Sequence, residues 1–272
     1  MGIEKRIKDP LIGIIGGTGR MGSWFADICE RRGYRVLKVG RRTEISMEDA
    51  AKRCDVVVIS VPISVLEDVI KRVGPLISED SLLMDLTSIK KRPIDAMLRY
   101  SKAEVIGLHP LFGMDIDEEE SKRVAICSGR GERWKSWIID LLKGEGLELV
   151  FLTPEEHDKI MGIVQGINHF ETICLAIRIK ESGIGWKKIE SASTQTFMRK
   201  LRRIRKMFDQ DPELFASLLM ENSWSVKCID SYMKDARDFF DIISKKDRKG
   251  FNEIFMCIKK LLKETEDERD MG

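Results

Sequence analysis

No run of apolar residues in this chain approaches the roughly eighteen that a membrane span needs, and the opening Met1 to Pro10 is charged where a signal peptide would carry its apolar core. These two lacks predict a cytoplasmic protein without a membrane role. Paired cysteine spacing is missing as well. Cys29, Cys54, Cys127, Cys174, Cys228 and Cys257 are scattered, so neither a zinc site nor a redox pair is expected, and each reads as a small buried apolar residue of a reducing compartment. There is no charge excess: 47 basic residues against 45 acidic ones leave a net +2, which gives no footing for a nucleic-acid partner. Histidine is scarce, with only His109, His157 and His169 in the chain. Function has to come from particular sites.

What is present suits two domains of a globular protein: 272 residues, 43% apolar and 34% charged. Short apolar runs predict strands at Leu11 to Gly16, Arg35 to Val39, Asp55 to Val61, Ser81 to Leu86 and Glu104 to Leu108. Amphipathic helices fall between them at Met21 to Arg32, Val65 to Val73 and Pro93 to Tyr100. That alternation predicts an α/β, doubly wound parallel sheet. Val124 to Ser128, Trp134 to Lys143 and Glu148 to Leu152 extend the same half. The pattern then changes at Thr153-Pro154 to long helical periodicity: Glu155 to Glu181, Trp186 to Phe208, Pro212 to Ile243 and Lys249 to Glu266, with a break at Asp247 to Gly250 and a tail that frays after Glu264. The expected domains are 1–153, nucleotide-binding, and 154–272, all-helical.

Gly17-Thr18-Gly19-Arg20-Met21-Gly22 fits the G-x-G-x-x-G pattern and lies between the first strand and first helix, where a dinucleotide requires it. Gly17 is expected to make the tight turn, Gly19 to admit the pyrophosphate and Gly22 to let helix and strand pack closely. The helix N-terminus adds unpaired N–H groups and the positive end of its dipole. This context makes the sheet Rossmann-type. Where an acidic residue would hold ribose hydroxyls, the second strand is followed by Arg41 and Arg42, which suit a 2′-phosphate and incline the expected cofactor from NAD to NADP. Ser60-Val61-Pro62 ends the third strand, beside the place of the nicotinamide ribose. The plain readings are solvated arginines and a proline that stops a strand.

Several later segments resemble the prephenate dehydrogenase family: Ser60-Val61-Pro62-Ile63, Asp85-Leu86-Thr87-Ser88-Ile89-Lys90, Gly107-Leu108-His109-Pro110-Leu111-Phe112-Gly113, Glu156-His157-Asp158 with Met161, Gln165 and His169-Phe170, and Gln210-Asp211-Pro212-Glu213-Leu214-Phe215. The resemblance covers roughly residues 11 to 250. It implies oxidation of prephenate by hydride transfer, with loss of carbon dioxide giving 4-hydroxyphenylpyruvate in tyrosine biosynthesis. It further implies that His109 accepts the hydroxyl proton and that Ser88 shares its hydrogen bonds. His157 reads either as a helix-start residue bonding backbone groups or as a substrate contact. His169 and Gln165 are candidate substrate contacts, against a satisfied core position for His169.

Prephenate carries two carboxylates, which call for a fixed cation, ideally an arginine fork. In the run Arg199-Lys200-Leu201-Arg202-Arg203-Ile204-Arg205-Lys206, counting back from Asp211-Pro212 puts Lys206 at the family position, and counting forward from Ala192-Ser193 puts Arg205 there. The plain reading of the run is a solvated helix face. The segment Ala192 to Phe197 lacks the proline and tyrosine usual in the family. The resemblance also implies a homodimer through the helical domain, with Phe215, Leu218, Leu219, Trp224 and Ile229 serving either the interface or the intrachain core. The chain is expected to be monofunctional and to bind no metal. The alternatives are an arogenate dehydrogenase and a non-catalytic NADP-sensing protein of the same fold. A β-hydroxyacid dehydrogenase is disfavoured because no Gly-x-x-x-Asn-x-x-Lys pattern occurs.

Overall fold

A computed structural model describes residues 7–113 and 122–270, with side chains to 265. Most of Met1 to Pro10, and hence most of the segment read as lacking a signal peptide, lies outside these residues.

Apolar runs with β-branched residues form the sheet. The strands are β1 (Leu11–Ile15), β2 (Arg35–Val39), β3 (Val56–Ile59), β4 (Leu82–Asp85), β5 (Glu104–Pro110), β6 (Arg123–Arg130) and β7 (Glu148–Phe151), in the spatial order β2-β1-β3-β4-β5-β6-β7. β3 and β4 are buried along their whole length, as strands covered on both faces must be. One face packs on α1 (Arg20–Arg31) and the later helix Lys135–Lys143 through Ile14, Val58, Met84 and Leu108. The other packs on α2 (Met47–Arg53), α3 (Ile63–Val73) and α4 (Lys91–Tyr100) through Ile59, Leu83, Val105 and Met97. With Lys135–Lys143 as α5, this is the expected doubly wound α/β layer. It differs in one respect: β6 runs antiparallel to β5, and β7 is parallel to β6, so the last two strands are reversed.

Because β1 to β5 are parallel, their carboxyl ends share one edge. The chain moves from β1 outward to β2 and then back across to β3, which leaves a crevice at that edge, the place where ligands bind in open sheets of this kind. The pairing Ile59↔Asp85↔Gly107 sets the register, so Val61, Thr87 and His109, each two residues further on, fall in one row beyond it.

After β7 all regular structure among the described residues is helical. α6 (Pro154–Met161) begins in a capping box: Thr153 accepts from the Glu156 N–H and the Glu156 carboxylate reaches back to Thr153 N. It runs through a π-helical stretch, Gly162–Ile167, into α7 (Asn168–Glu181). The expected Trp186 to Phe208 helix is two, α8 (Trp186–Ser191) and α9 (Gln195–Phe208), with Thr194 capping the second. Pro212 to Ile243 also divides, into α10 (Pro212–Met220) and α11 (Ser223–Ser244), because the Asn222 side chain caps a new start. The last break precedes Arg248, at Lys245 to Asp247, where Lys246 has φ +55°. Gly250 lies within α12 (Arg248–Asp270), which stays helical past Glu264.

One expectation about apolar length is corrected. Pro154–Glu181 forms a continuous helical run that by length and composition could cross a membrane. Within it, the His157 and Asp158 side chains bond to the sheet and to the start of α4. α11 packs closely along its π-helical part, where a side chain at Gly162 or Gly166 would meet the α11 backbone.

Candidate active site

At the end of β1 the backbone turns sharply, and the left-handed residue is Gly16 (φ +86°), one earlier than expected. A Cβ there would lie 2.0 Å from the Ser60 carbonyl oxygen, so only glycine lets β1 and β3 close over the turn. Gly22 holds its expected place: its Cβ would fall 2.3 Å from the Gly16 oxygen, which means α1 rests directly on the turn. Gly19 is the N-cap of α1, and no side chain caps that helix, leaving its N-terminus to a ligand. A cleft of about 980 Å³ opens beside the turn, lined by Thr18 and Gly19, by Arg41 and Arg42 beyond β2, and by Ser60 and Pro62 beyond β3. Arg20 and Met21 begin α1 and are outside the cleft lining, whereas Val61 lines it between Ser60 and Pro62. Arg41 and Arg42 are exposed, and no carboxylate among the described residues pairs with either.

Two strands further along the same edge, His109 ends β5, 3% exposed and outside the lining of that cleft. Its Nδ1 lies 2.8 Å from Nε2 of His157, which is fully buried, and His157 Nδ1 lies 2.8 Å from Asp158 Oδ1. The reading of His157 as a helix-start residue bonding backbone groups is replaced by this side-chain pairing. Asp158 is fixed in turn, accepting the N–H groups of Lys90 and Lys91 at the start of α4 at 2.7 and 2.9 Å. Its own carbonyl accepts from Asn222 Nδ2 at 2.9 Å.

Proton positions follow from what each group can do. A carboxylate only accepts, so His157 donates from Nδ1, and in its neutral form accepts at Nε2 from the His109 Nδ1–H. The lone pair of His109 then sits on Nε2, which has no partner among the described residues and is not among the atoms sealed from solvent. Burial, then repulsion from a protonated His157 and from Lys90, hold the His109 pKa well below 6.5. The ring is a neutral base near pH 7.

Ser88, half-buried at the end of β4, makes no hydrogen bond with His109 or with any other described residue. The residues next to it do more. The Lys90 ammonium, fully buried, donates to Asp85 Oδ2 at 2.5 Å and to the Leu108 carbonyl at 2.9 Å, holding the backbone beside His109. Thr87 also donates to Asp85. In the sequence, Lys90 and Asp85 stand out only as part of the Asp85 to Lys90 segment. The usable signal was Gly107 across the sheet, where a Cβ would meet Lys90 Cδ at 2.9 Å.

Among the helical candidates, His169 is half-buried edge-on to Phe215 of α10, with ring centroids 5.2 Å apart, and its Nδ1 is sealed without a partner. Burial, and then Arg203, lower its pKa to about 4. Gln165 lies in the π-helical stretch, so its offset from His169 is not that of a regular helical turn. Arg205 is paired with Glu190 at 2.7 Å and lies over the Trp186 ring, while Lys206 is exposed. Arg203 is the α9 cation whose charge reaches His169, and sequence reading passed it over. Phe215, Leu218, Leu219, Trp224 and Ile229 are at least partly buried within the chain.

The lowered histidines give a signed pH dependence. Unfolded, both titrate near 6.5; folded, they resist protonation, so between about 6.5 and 4 the unfolded chain binds more protons. Stability should be full above 6.5 and fall as the pH drops towards 4. Thermal midpoints across this range should show His169→Leu with a shallower slope than the parent; an unchanged slope removes His169 from the account.

Two family models match the chain: prephenate dehydrogenase, nucleotide-binding domain, over residues 27–123, and prephenate dehydrogenase, dimerization domain, over residues 153–257. A probable arogenate/prephenate dehydrogenase of Methanocaldococcus jannaschii is 34% identical, covering 89% of this chain and 59% of its own length. The T-protein of Haemophilus influenzae is 30% identical, covering 89% of this chain and 64% of its own length. The chain thus spans about three fifths of these curated relatives. Among solved structures, the prephenate dehydrogenase of A. aeolicus, in complex with hydroxyphenyl propionate and NAD+, superposes with a TM-score of 0.74 at 19% identity, covering 94% of this chain and 98% of that one. The Synechocystis arogenate dehydrogenase does so with a TM-score of 0.68 at 18% identity, covering 96% and 99%. At these identities the superpositions speak for the fold.

Proposed function

Because the chain belongs to the prephenate dehydrogenase family, we propose that it oxidatively decarboxylates prephenate to 4-hydroxyphenylpyruvate using NADP or NAD, with NADP preferred. The observation that carries this reading is the unpartnered Nε2 of a neutral His109 on the same sheet edge as the glycine turn. The turn fits a dinucleotide: Gly16 and Gly22 let β1, β3 and α1 close tightly on it, Gly19 puts no side chain into the cleft, and α1 has an uncapped N-terminus. When bound, the nicotinamide supplies the hydride acceptor. The chain's part is proton and charge management. His109 Nε2 takes the hydroxyl proton as that carbon is oxidised, and loss of the ring carboxylate as carbon dioxide follows from the gain of aromaticity. The substrate carboxylates draw on the helical half, where Arg203 with His169 and Gln165 is better placed than Arg205, held by Glu190. We assign residues 1–153 to the cofactor and 154–272 to substrate binding and dimerisation.

Turnover by the purified protein, measured with prephenate and arogenate against NAD and NADP, tests this. Activity with arogenate alone moves the substrate to the amine, and no activity in any of the four combinations rejects the dehydrogenase.

Arg41 and Arg42 carry the cofactor preference. Each charge-assisted hydrogen bond to a 2′-phosphate contributes about 1.5–3 kcal/mol, so Arg41→Ala with Arg42→Ala should weaken NADP binding by tenfold or more and leave NAD within about threefold. Equal losses for both, by calorimetry, would remove that contact. A homodimer covers the apolar face that α11 and α12 leave bare, including Phe240, Ile243, Phe255, Met256, Leu261 and Leu262. Sedimentation at micromolar concentration should give the mass of two chains; a single-chain mass would oppose it.

A further inference from the structure

The hydrogen-bond chain behind His109 has a direction, and it crosses from one half of the protein to the other. It begins at the carboxyl end of β5, passes to His157 on α6 and ends on Asp158. The Asp158 carboxylate simultaneously receives the two N–H groups that open α4, one on each oxygen, and these belong to the cofactor half. That anion is therefore held by a helix N-terminus, by Asn222 through its own backbone, and by the His157 ring. The two imidazoles meet at 70° with centroids 5.1 Å apart, an edge-on arrangement that suits an N–H pointing at a ring nitrogen rather than stacking.

We propose that His157 and Asp158 are positioning residues for the proton acceptor: they fix the His109 tautomer with its lone pair on Nε2 and take up the positive charge that ring gains when it is protonated. This deepens the dehydrogenase reading and rests on it. Without the pair, His109 could place its proton on either nitrogen, and the tautomer with Nε2–H has nothing to offer a hydroxyl proton. Of the two, Asp158 supplies the anion that opposes the suppression of the imidazolium by burial, His157 and Lys90. His109 is faced by His157 from α6 and by the Lys90 ammonium from the β4–α4 junction, with Asp85 behind Lys90 and Asp158 behind His157. Since Asp85 is engaged by Lys90 and Thr87, the anion available to a charged His109 is Asp158, reached through His157. The same contacts make the proton acceptor sensitive to the seating of the helical half on α4.

His157→Phe and His157→Gln separate positioning from packing. Phenylalanine fills the space and accepts no hydrogen bond. Glutamine can accept from His109 Nδ1 and donate to Asp158. The expected result is a fall in kcat of about 10²-fold or more for His157→Phe, with KM for the cofactor little changed and the acid limb of the kcat/KM profile displaced. His157→Gln should recover at least tenfold of that loss. Equal impairment of both variants with an unmoved pH profile would overturn the proposal, as would full activity in His157→Phe. If His157→Phe fails to fold, Asp158→Asn replaces it: it can keep an oxygen towards His157, and the proposal requires its acid limb to shift while cofactor binding persists. A parent protein without turnover in the four-way assay would instead sink the dehydrogenase reading, a distinct result.

Discussion

Replacing His109 with Asn should lower kcat by about 10² to 10⁴-fold, the range typical of a positioned general base, while dinucleotide affinity stays within about twofold. The two readouts separate because the structure separates the two sites. Phosphates are expected at the Gly16 turn and the start of α1, whereas His109 sits three strands along the edge and outside the lining of that cleft. Asparagine is chosen for its size and because its amide can still donate to His157, sparing a buried nitrogen the loss of its partner. The variant should also lose the acid limb that the parent shows. That limb should lie below the ordinary histidine range, because burial is the largest cause depressing the His109 pKa. Unchanged turnover in His109→Asn would take His109 out of the mechanism and leave a nucleotide-binding scaffold, the reading that a sensor protein requires.

The cofactor half was legible because its signals are local. Apolar runs such as Val56–Ile59 and Leu82–Asp85 can only be strands buried on both faces, and a glycine turn between strand and helix has few other uses. Strand direction is not a local property, so the reversal of β6 and β7 could not be read: an apolar run looks the same whichever way it runs. The short helix Met47–Arg53 was missed because it buries little beyond Ala50 and Ala51 and is announced mainly by its Ser46 cap. In the turn, two adjacent glycines compete, and only the approach of the Ser60 carbonyl decides that Gly16 takes the positive φ. The site divides in the same way. His109 could be named from its segment, yet its partner lies 48 residues away on another element, and no spacing rule reaches that far. Arg205 looked best by residue type until Glu190 and Trp186 were seen to hold it. The ordering of α8 and α9 around those two residues is tertiary information.

The largest effect on stability should come from Asp85→Ala. Asp85 and Lys90 are both fully buried and 2.5 Å apart, so truncating the carboxylate leaves an ammonium inside the protein with the Leu108 carbonyl as its remaining partner. Removing one member of such a pair costs about 3–5 kcal/mol, a large share of the 5–15 kcal/mol typical of a folded chain. The unfolding midpoint in urea should fall accordingly, and activity should fall with it, since the Lys90 contact to Leu108 fixes the residue before His109. Breaking the pair differs from deleting it. Asp85→Leu combined with Lys90→Met removes both charges at similar volume, and such replacements are often neutral or stabilising, so the double variant should regain most of the lost stability. Activity should not return with it, because methionine cannot donate to the Leu108 carbonyl. Recovery of both together would mean that the pair serves only to fill space; recovery of neither would mean that its charges stabilise the fold directly.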